Sequence, residues 1–308
     1  VTSEQHTRTG FFVATLTQVI WGLLPFYTAL YPGTPAAHVL VCRVLACTAV
    51  MATLVFVFKQ QKDLFALFRQ PKRLAAYTLA AALLGTNWMT FFWAVQEGHV
   101  LEISFATYLM PLFSIAMGVV FLRETLTRWT AAGLFAATLG VVAIVSGGSD
   151  APWVIISLGM AFAIYTLIRK TNPIAPLAGF AFESWVMSFV AVAYLLLRPD
   201  DPVIGPDDSL LQIVWLISFG PQTAATMVMF NYATHHLRLS TTGMLQFLSP
   251  TITFIVAVLR GDQMNEAKFI GFALIWVGVV FYAIDALRAR AAHREEMQRS
   301  VEAMDSRP

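Results

Sequence analysis

An all-α membrane protein, with ten transmembrane helices arranged as two inverted five-helix repeats, is the fold class this sequence predicts. Three observations lead there. Apolar runs of bilayer length recur along the chain, lysine and arginine gather in alternate connections, and the second half of the chain repeats the first. Of the 308 residues 57% are hydrophobic and 12% charged, with a mean hydropathy of +0.67. A soluble domain carries about a quarter charged residues, so half the usual charge is missing. Runs of roughly 20 apolar residues with little between them are bilayer helices, because in hydrocarbon a helix satisfies its own backbone.

The runs fall at 11–31, 37–58, 74–96, 101–122 and 128–146, then at 152–168, 177–197, 210–234, 239–259 and 267–287. Turn and breaker residues separate them at Tyr31–Pro35, Ser146–Pro152, Thr171–Pro176 and Pro199–Asp208. Ten spans put both termini on one side of the membrane. That side receives Arg8, the cluster Lys59, Lys62, Arg69, Lys72 and Arg73, then Arg123, Arg128, Arg169, Lys170, Arg238 and five arginines from Arg288 onward, 16 in all. The other side receives Arg198, Arg260 and Lys268. Positive loops are cytoplasmic, so residues 1–10 and 288–308 are expected as cytoplasmic tails around repeats 11–148 and 149–287. The segment VTSEQHTRTG has no charged region leading into a short cleavable apolar stretch, so the first run is expected to be retained as a span.

The repeat is read by laying the segment from Phe91 on the segment from Met229. Trp93 then meets Tyr232, Ala94 meets Ala233, Thr107 meets Gln246, Tyr108 meets Phe247 and Pro111 meets Pro250. One residue of slippage brings Gly133 onto Gly271 and Gly140 onto Gly278, and Arg43 and Glu183 fall at about the same place in each half. A five-helix unit has odd parity, so its second copy enters the membrane upside down. Inverted pairs of this kind are the architecture of secondary transporters, with the solute site between the halves near the midplane. The four glycines, seven apart in each helix, predict a close helix seam, within the chain or between two copies.

Polar residues inside the spans share faces. Ser104, Thr107, Tyr108, Pro111 and Ser114 align in the fourth span; Thr242, Gln246, Ser249, Pro250 and Thr253 align in the ninth. They read as a path lining or as helix–helix contacts. Proline within a span frees a backbone carbonyl and bends the helix, so Pro25, Pro111 and Pro250 are candidate hinges. Two charges, Arg43 and Glu183, lie well inside spans, where a charge costs roughly 2.5–3.5 kcal/mol at the bilayer centre. Either they pair with one another, or Arg43 takes the carboxylate and Glu183 the ammonium of a zwitterion. Trp21, Asn87, Trp93, Tyr108, Tyr165 and Gln246 complete the candidate solute-binding set. Tyr31, Trp129, Trp153 and Trp215 read as interface anchors near span ends, and His38, Glu97, His99 and Glu102 as solvated positions.

A net charge of +2 gives no footprint for nucleic acid. Cys42 and Cys47 lie in one apolar run, and the pair His235–His236 has no third ligand, so no metal site is expected. A Gly-rich phosphate loop, HExxH, GxSxG and CxxC are all absent, which disfavours an enzyme. The expected partners are a small-molecule solute and the lipid bilayer, and the chain is expected to be a monomer or a homodimer.

At NWMTFFWAVQEGHVLEIS (Asn87–Ser104), FES at Phe182, GPQTA at Gly220 and GMLQFLSPT at Gly243, the sequence resembles the RarD-type subgroup of the drug/metabolite transporter superfamily, in its ten-helix EamA form. TYLMPLFSI, from Thr107, is also similar to the fourth helix of the YddG-type amino-acid exporters of that superfamily. The chain departs from the RarD pattern at Ala106-Thr107, Met110-Pro111 and Thr226. The resemblance covers nearly the whole chain. It implies export of amino acids or related metabolites across a bacterial inner membrane, by alternating access, without ATP hydrolysis or cofactor. Export of lipophilic drugs or nucleotide sugars is the alternative, and a non-transporting sensor or membrane enzyme is the alternative of another class.

Overall fold

The computed structural model describes residues 3–28, 30, 33–97, 99–145, 151–205, 208–259, 269–271, 273–281, 284–285 and 288. Among them the regular structure is helical, in the order α1 (Ser3–Thr28), α2 (Ala36–Val57), α3 (Gln61–Phe68), α4 (Pro71–Gln96), α5 (Val100–Leu122) and α6 (Arg128–Val145), followed by α7 (Pro152–Thr171), α8 (Pro176–Leu197), α9 (Leu210–His236), α10 (Leu239–Gln246) and α11 (Leu248–Leu259). A further apolar helix, α12, runs over Phe269–Phe281. Each of the ten apolar segments read from the sequence therefore carries helix. Among the described residues, Glu4–Thr28, Ala36–Val57, Trp153–Thr171, Pro176–Leu197 and Leu210–His236 are long and apolar enough to cross a membrane. The outward surface has the matching character: Phe121, Phe135, Phe189, Leu196 and Leu210 are all more than 60% exposed. Water-facing helices do not present such faces.

Three local features differ from the expectation. The first helix starts at Ser3, about two turns before the expected span, and Gly10 packs on Leu237 and His236. The basic connection after α2 holds α3, whose Leu64 and Leu67 are buried in the main core. The ninth segment is broken at Phe247. Pro250 carries no N–H to return to the Gln246 carbonyl, and Phe247 N–H bonds instead to Met244, three residues back (3.3 Å).

The chain packs as two compact units, Val1–Arg123 with Ser149–Asp262, and Glu124–Gly148 with Gln263–Pro308. In the first, α5, α7, α4, α8, α2, α9, α1 and α11 follow one another as packed neighbours, and α10 returns to α5. Most contacts thus join a helix of one sequence half to a helix of the other. Trp21, Phe162 and Phe230 meet inside this unit, with ring centroids 5.3–6.0 Å apart. In the second unit α6 lies on α12 along a glycine seam. A Cβ on Gly133 would stand 2.6 Å from the Gly278 carbonyl, and one on Gly140 2.5 Å from the Gly271 carbonyl. The seam read from the glycine spacing is an intrachain one. Thr130 Oγ1 donates to Asp285 (2.7 Å) and closes its end.

Candidate functional site: two buried arginines

Arg43, the eighth residue of α2, is 8% exposed. Its Nε donates to Thr223 Oγ1 on α9 (2.8 Å), and its guanidinium lies 4.1 Å from the centre of the Trp88 ring on α4. Those contacts orient the guanidinium plane without neutralising it. Among the described residues no carboxylate stands within ion-pairing distance of Arg43. α2 and α9 come together closely here: a Cβ on Gly220 would meet Ala46 Cβ at 2.4 Å and Cys47 N at 2.6 Å. Burying a cation without a counter-ion is costly, and such a residue inside a span marks a solute or ion path by default.

Arg169, at the last turn of α7, is treated in the opposite way. Its Nη1 meets Glu183 Oε1 at 3.2 Å, with both side chains fully excluded from solvent. Arg169 Nε donates to Asn231 Oδ1 (3.1 Å), Asn231 Nδ2 donates to the Tyr165 hydroxyl (2.9 Å), and that hydroxyl donates to Glu183 Oε2 (3.1 Å). The four side chains close a ring of hydrogen bonds across α7, α8 and α9. Arg169 Nη2 also reaches the Pro176 carbonyl (3.3 Å), and the Tyr77 ring lies 4.9 Å from the guanidinium. Gly179, one turn before Glu183, makes room: a Cβ there would stand 2.1 Å from Arg169 Nη1. Satisfying each polar atom is what allows an ion pair to persist in a dry interior.

Of the two readings of Arg43 and Glu183, the one in which they neutralise one another is therefore corrected. Glu183 is taken by Arg169, which the sequence reading counted among the loop cations. Asn231 was also missed, as were Trp88 and Thr223 as the holders of Arg43. One signal was available: Tyr165 and Arg169 are four residues apart and so share a face of α7.

The remaining candidates divide. Asn87 is buried and donates Nδ2 to the Leu158 carbonyl (2.8 Å), tying α4 to α7. Tyr108 donates to the Pro250 carbonyl (3.3 Å), and Ser114 to Gln246 Oε1 (3.4 Å). The two polar stripes thus meet each other between α5 and α10–α11, beside Pro111 and Pro250. Among the described residues, Gln246 keeps a buried Nε2 without a partner, as does Gln18 on α1. Trp93 is 36% exposed and lies against Trp153 (4.9 Å) and His99 (5.5 Å) rather than beside Arg43. The side chains of Pro25, Glu102 and Ser104, and Tyr31 as a whole, lie outside the described residues. Trp215, read as an interface anchor, is buried and donates to the Tyr27 carbonyl (2.9 Å). His38, read as solvated, is buried and lies 3.1 Å from Asp201.

A helical bundle with lipid-ready outer faces and buried charges inside defines a multi-pass membrane protein. Residues 8–146 match the model of the EamA-like transporter family. The chain is 34% identical over 288 residues to an uncharacterized transporter of Pseudomonas aeruginosa, covering 92% of this chain and 96% of that one. It is 32% identical over 285 residues to the protein RarD of Salmonella typhimurium, covering 92% and 97%. A chain of known crystal structure, 17% identical, superposes with a TM-score of 0.70 over 93% of this chain and 99% of that chain, and shows the same fold. The protein belongs to the EamA-like transporter family of the drug/metabolite transporter superfamily and is RarD-like.

Proposed function

We propose that the protein exports small zwitterionic metabolites, amino acids foremost, by alternating access between two inverted five-helix repeats, 11–148 and 149–287, in a bacterial inner membrane. The observation that carries the substrate class is Arg43, a buried guanidinium oriented by Trp88 and Thr223 and, among the described residues, with no carboxylate within ion-pairing distance. A planar fork of this kind is suited to a carboxylate. Trp21, Tyr108 and Gln246 line the path on this reading, with Gln246 Nε2, unpartnered among the described residues, as a further donor, while Glu183 and Tyr165 lock it through Arg169. A nucleotide sugar would need several free cations for its diphosphate, and Arg169 is already neutralised.

Packing supports the repeat. Exchanging the halves turns the Gly133–Gly278 contact into Gly271–Gly140, which is also present. It likewise relates Gly22 against Ile252 to Gly159 against Phe113. Opposite charge in equivalent connections supports the inversion: the α2–α4 connection is basic, whereas the α8–α9 connection carries Asp200, Asp201, Asp207 and Asp208. Both termini are then cytoplasmic by the bias of basic residues, and Pro25, Pro111 and Pro250 serve as hinges.

The test is uptake of a panel of labelled amino acids into proteoliposomes, with and without a pH gradient. Saturable uptake competed by unlabelled solute is expected. No uptake of any member contradicts the zwitterion reading and turns attention to drugs and nucleotide sugars.

A further inference from the structure

The connection between α2 and α4 is basic and carries a short helix of its own. Its chain course starts at Lys59, whose φ of +53° is left-handed and uncommon for a side chain of that size. With Gln60 N–H bonded back to Val55 (2.9 Å), the turn ends α2 abruptly and sends the eight residues of α3 along the end of the bundle. Leu64 and Leu67 fasten α3 to the core, each 2% exposed.

The rest of the helix is arranged around that anchor. At 100° per residue, Phe68 flanks the Leu64–Leu67 stripe and Phe65 lies between Phe68 and the cations, and the two rings remain 50% and 58% exposed. Lys62 and Arg69 fall opposite the stripe, and Asp63 flanks it on the other side, away from the rings. Residues 59–73 carry Lys59, Lys62, Arg69, Lys72 and Arg73 against Asp63 alone. Four of these cations are exposed, and among the described residues none is joined to a carboxylate. Exposed aromatic rings next to a rank of unpaired cations, on a short helix fixed at the end of an apolar bundle, match an interfacial element. Rings enter the acyl boundary and cations meet headgroup phosphates. A soluble acidic protein would satisfy the cations and leave the two rings in water, so the occupant is lipid.

We propose that α3, with Lys59, Lys62, Arg69, Lys72 and Arg73, is a docking surface for anionic phospholipid headgroups of the leaflet it faces. The surface is separate from Arg43 and independent of which solute is carried.

The experiment is native mass spectrometry of the purified full chain, titrated with phosphatidylglycerol and phosphatidylcholine. The wild type is expected to retain phosphatidylglycerol in preference, and the variant Lys62→Gln, Arg69→Gln, Lys72→Gln to lose that preference by about tenfold or more. Arg198→Gln, at the opposite connection, is expected to leave it intact. In parallel, a bimane at Phe65→Cys in bilayers is expected to be quenched more by brominated phosphatidylglycerol than by brominated phosphatidylcholine. Equal retention of the two lipids by the wild type, an unchanged preference in the triple variant, or a bimane that neither lipid quenches overturns the proposal.

Discussion

Arg169 Nη1 and Glu183 Oε1 stand 3.2 Å apart on neighbouring helices, with neither side chain in contact with solvent. The pair is satisfied on both sides, by Asn231 and Tyr165, and its loss is asymmetric. Glu183→Gln leaves a buried cation uncompensated and is expected to lower stability by about 3–5 kcal/mol. The double change Arg169→Met, Glu183→Met removes both charges and is expected to recover most of that loss. Thermal unfolding of the three proteins in one detergent compares them. Equal stability of Glu183→Gln and wild type contradicts the pairing.

Arg43 makes a different prediction, because its partners orient it and do not neutralise it. Arg43→Lys keeps the charge but loses the plane that lies over Trp88 and the Nε–H that Thr223 accepts. Transport is expected to fall by about tenfold or more, chiefly through a raised KM, with the melting temperature little changed. Initial uptake rates across a substrate range, alongside unfolding curves, read both quantities.

The α6–α12 seam predicts a steric contrast between two glycines. Gly140→Ala drives a methyl into the Gly271 carbonyl at 2.5 Å, where backbone must shift, at a cost of about 1–3 kcal/mol. Gly85→Ala meets only the flexible Met187 side chain, at 3.7 Å from Cγ and 3.9 Å from Sδ, and is expected to stay within about 0.5 kcal/mol of wild type. Denaturation midpoints compare them.

At the meeting of the two proline-bearing segments, Gln246→Ala removes an amide whose Nε2 has no partner among the described residues and whose Oε1 accepts only the long bond from Ser114 (3.4 Å), so transport is expected to fall more than stability. Tyr108→Phe deletes the hydrogen bond to the Pro250 carbonyl and is expected to cost about 1 kcal/mol of stability. Wild-type transport by Gln246→Ala removes that residue from the path.

The helices were legible because bilayer hydrocarbon dictates length and apolarity, and each apolar run carries helix. The Gly133, Gly140, Gly271 and Gly278 seam was legible because close approach leaves no alternative residue. Arg43 stood out as a charge within an apolar run. The pairing of Glu183 was not legible: Arg169 adjoins Lys170 at a helix end and reads as a loop cation, and only the packing of α7 on α9 brings Asn231 to it. Short α3 was hidden because eight residues of QKDLFALF carry too little periodicity to separate a helix from a charged loop. Trp215 and His38 were read as surface groups by their nearness to span ends, which says nothing of the neighbours that bury them.

Counterflow in proteoliposomes tests the central claim most directly: vesicles loaded with unlabelled amino acid, labelled amino acid outside, and wild type set beside Arg43→Gln. The account predicts transient accumulation by the wild type, competed by α-carboxylate compounds and not by the corresponding amines, and no accumulation by Arg43→Gln. Undiminished exchange by Arg43→Gln, or equal competition by amines lacking the carboxylate, would contradict it.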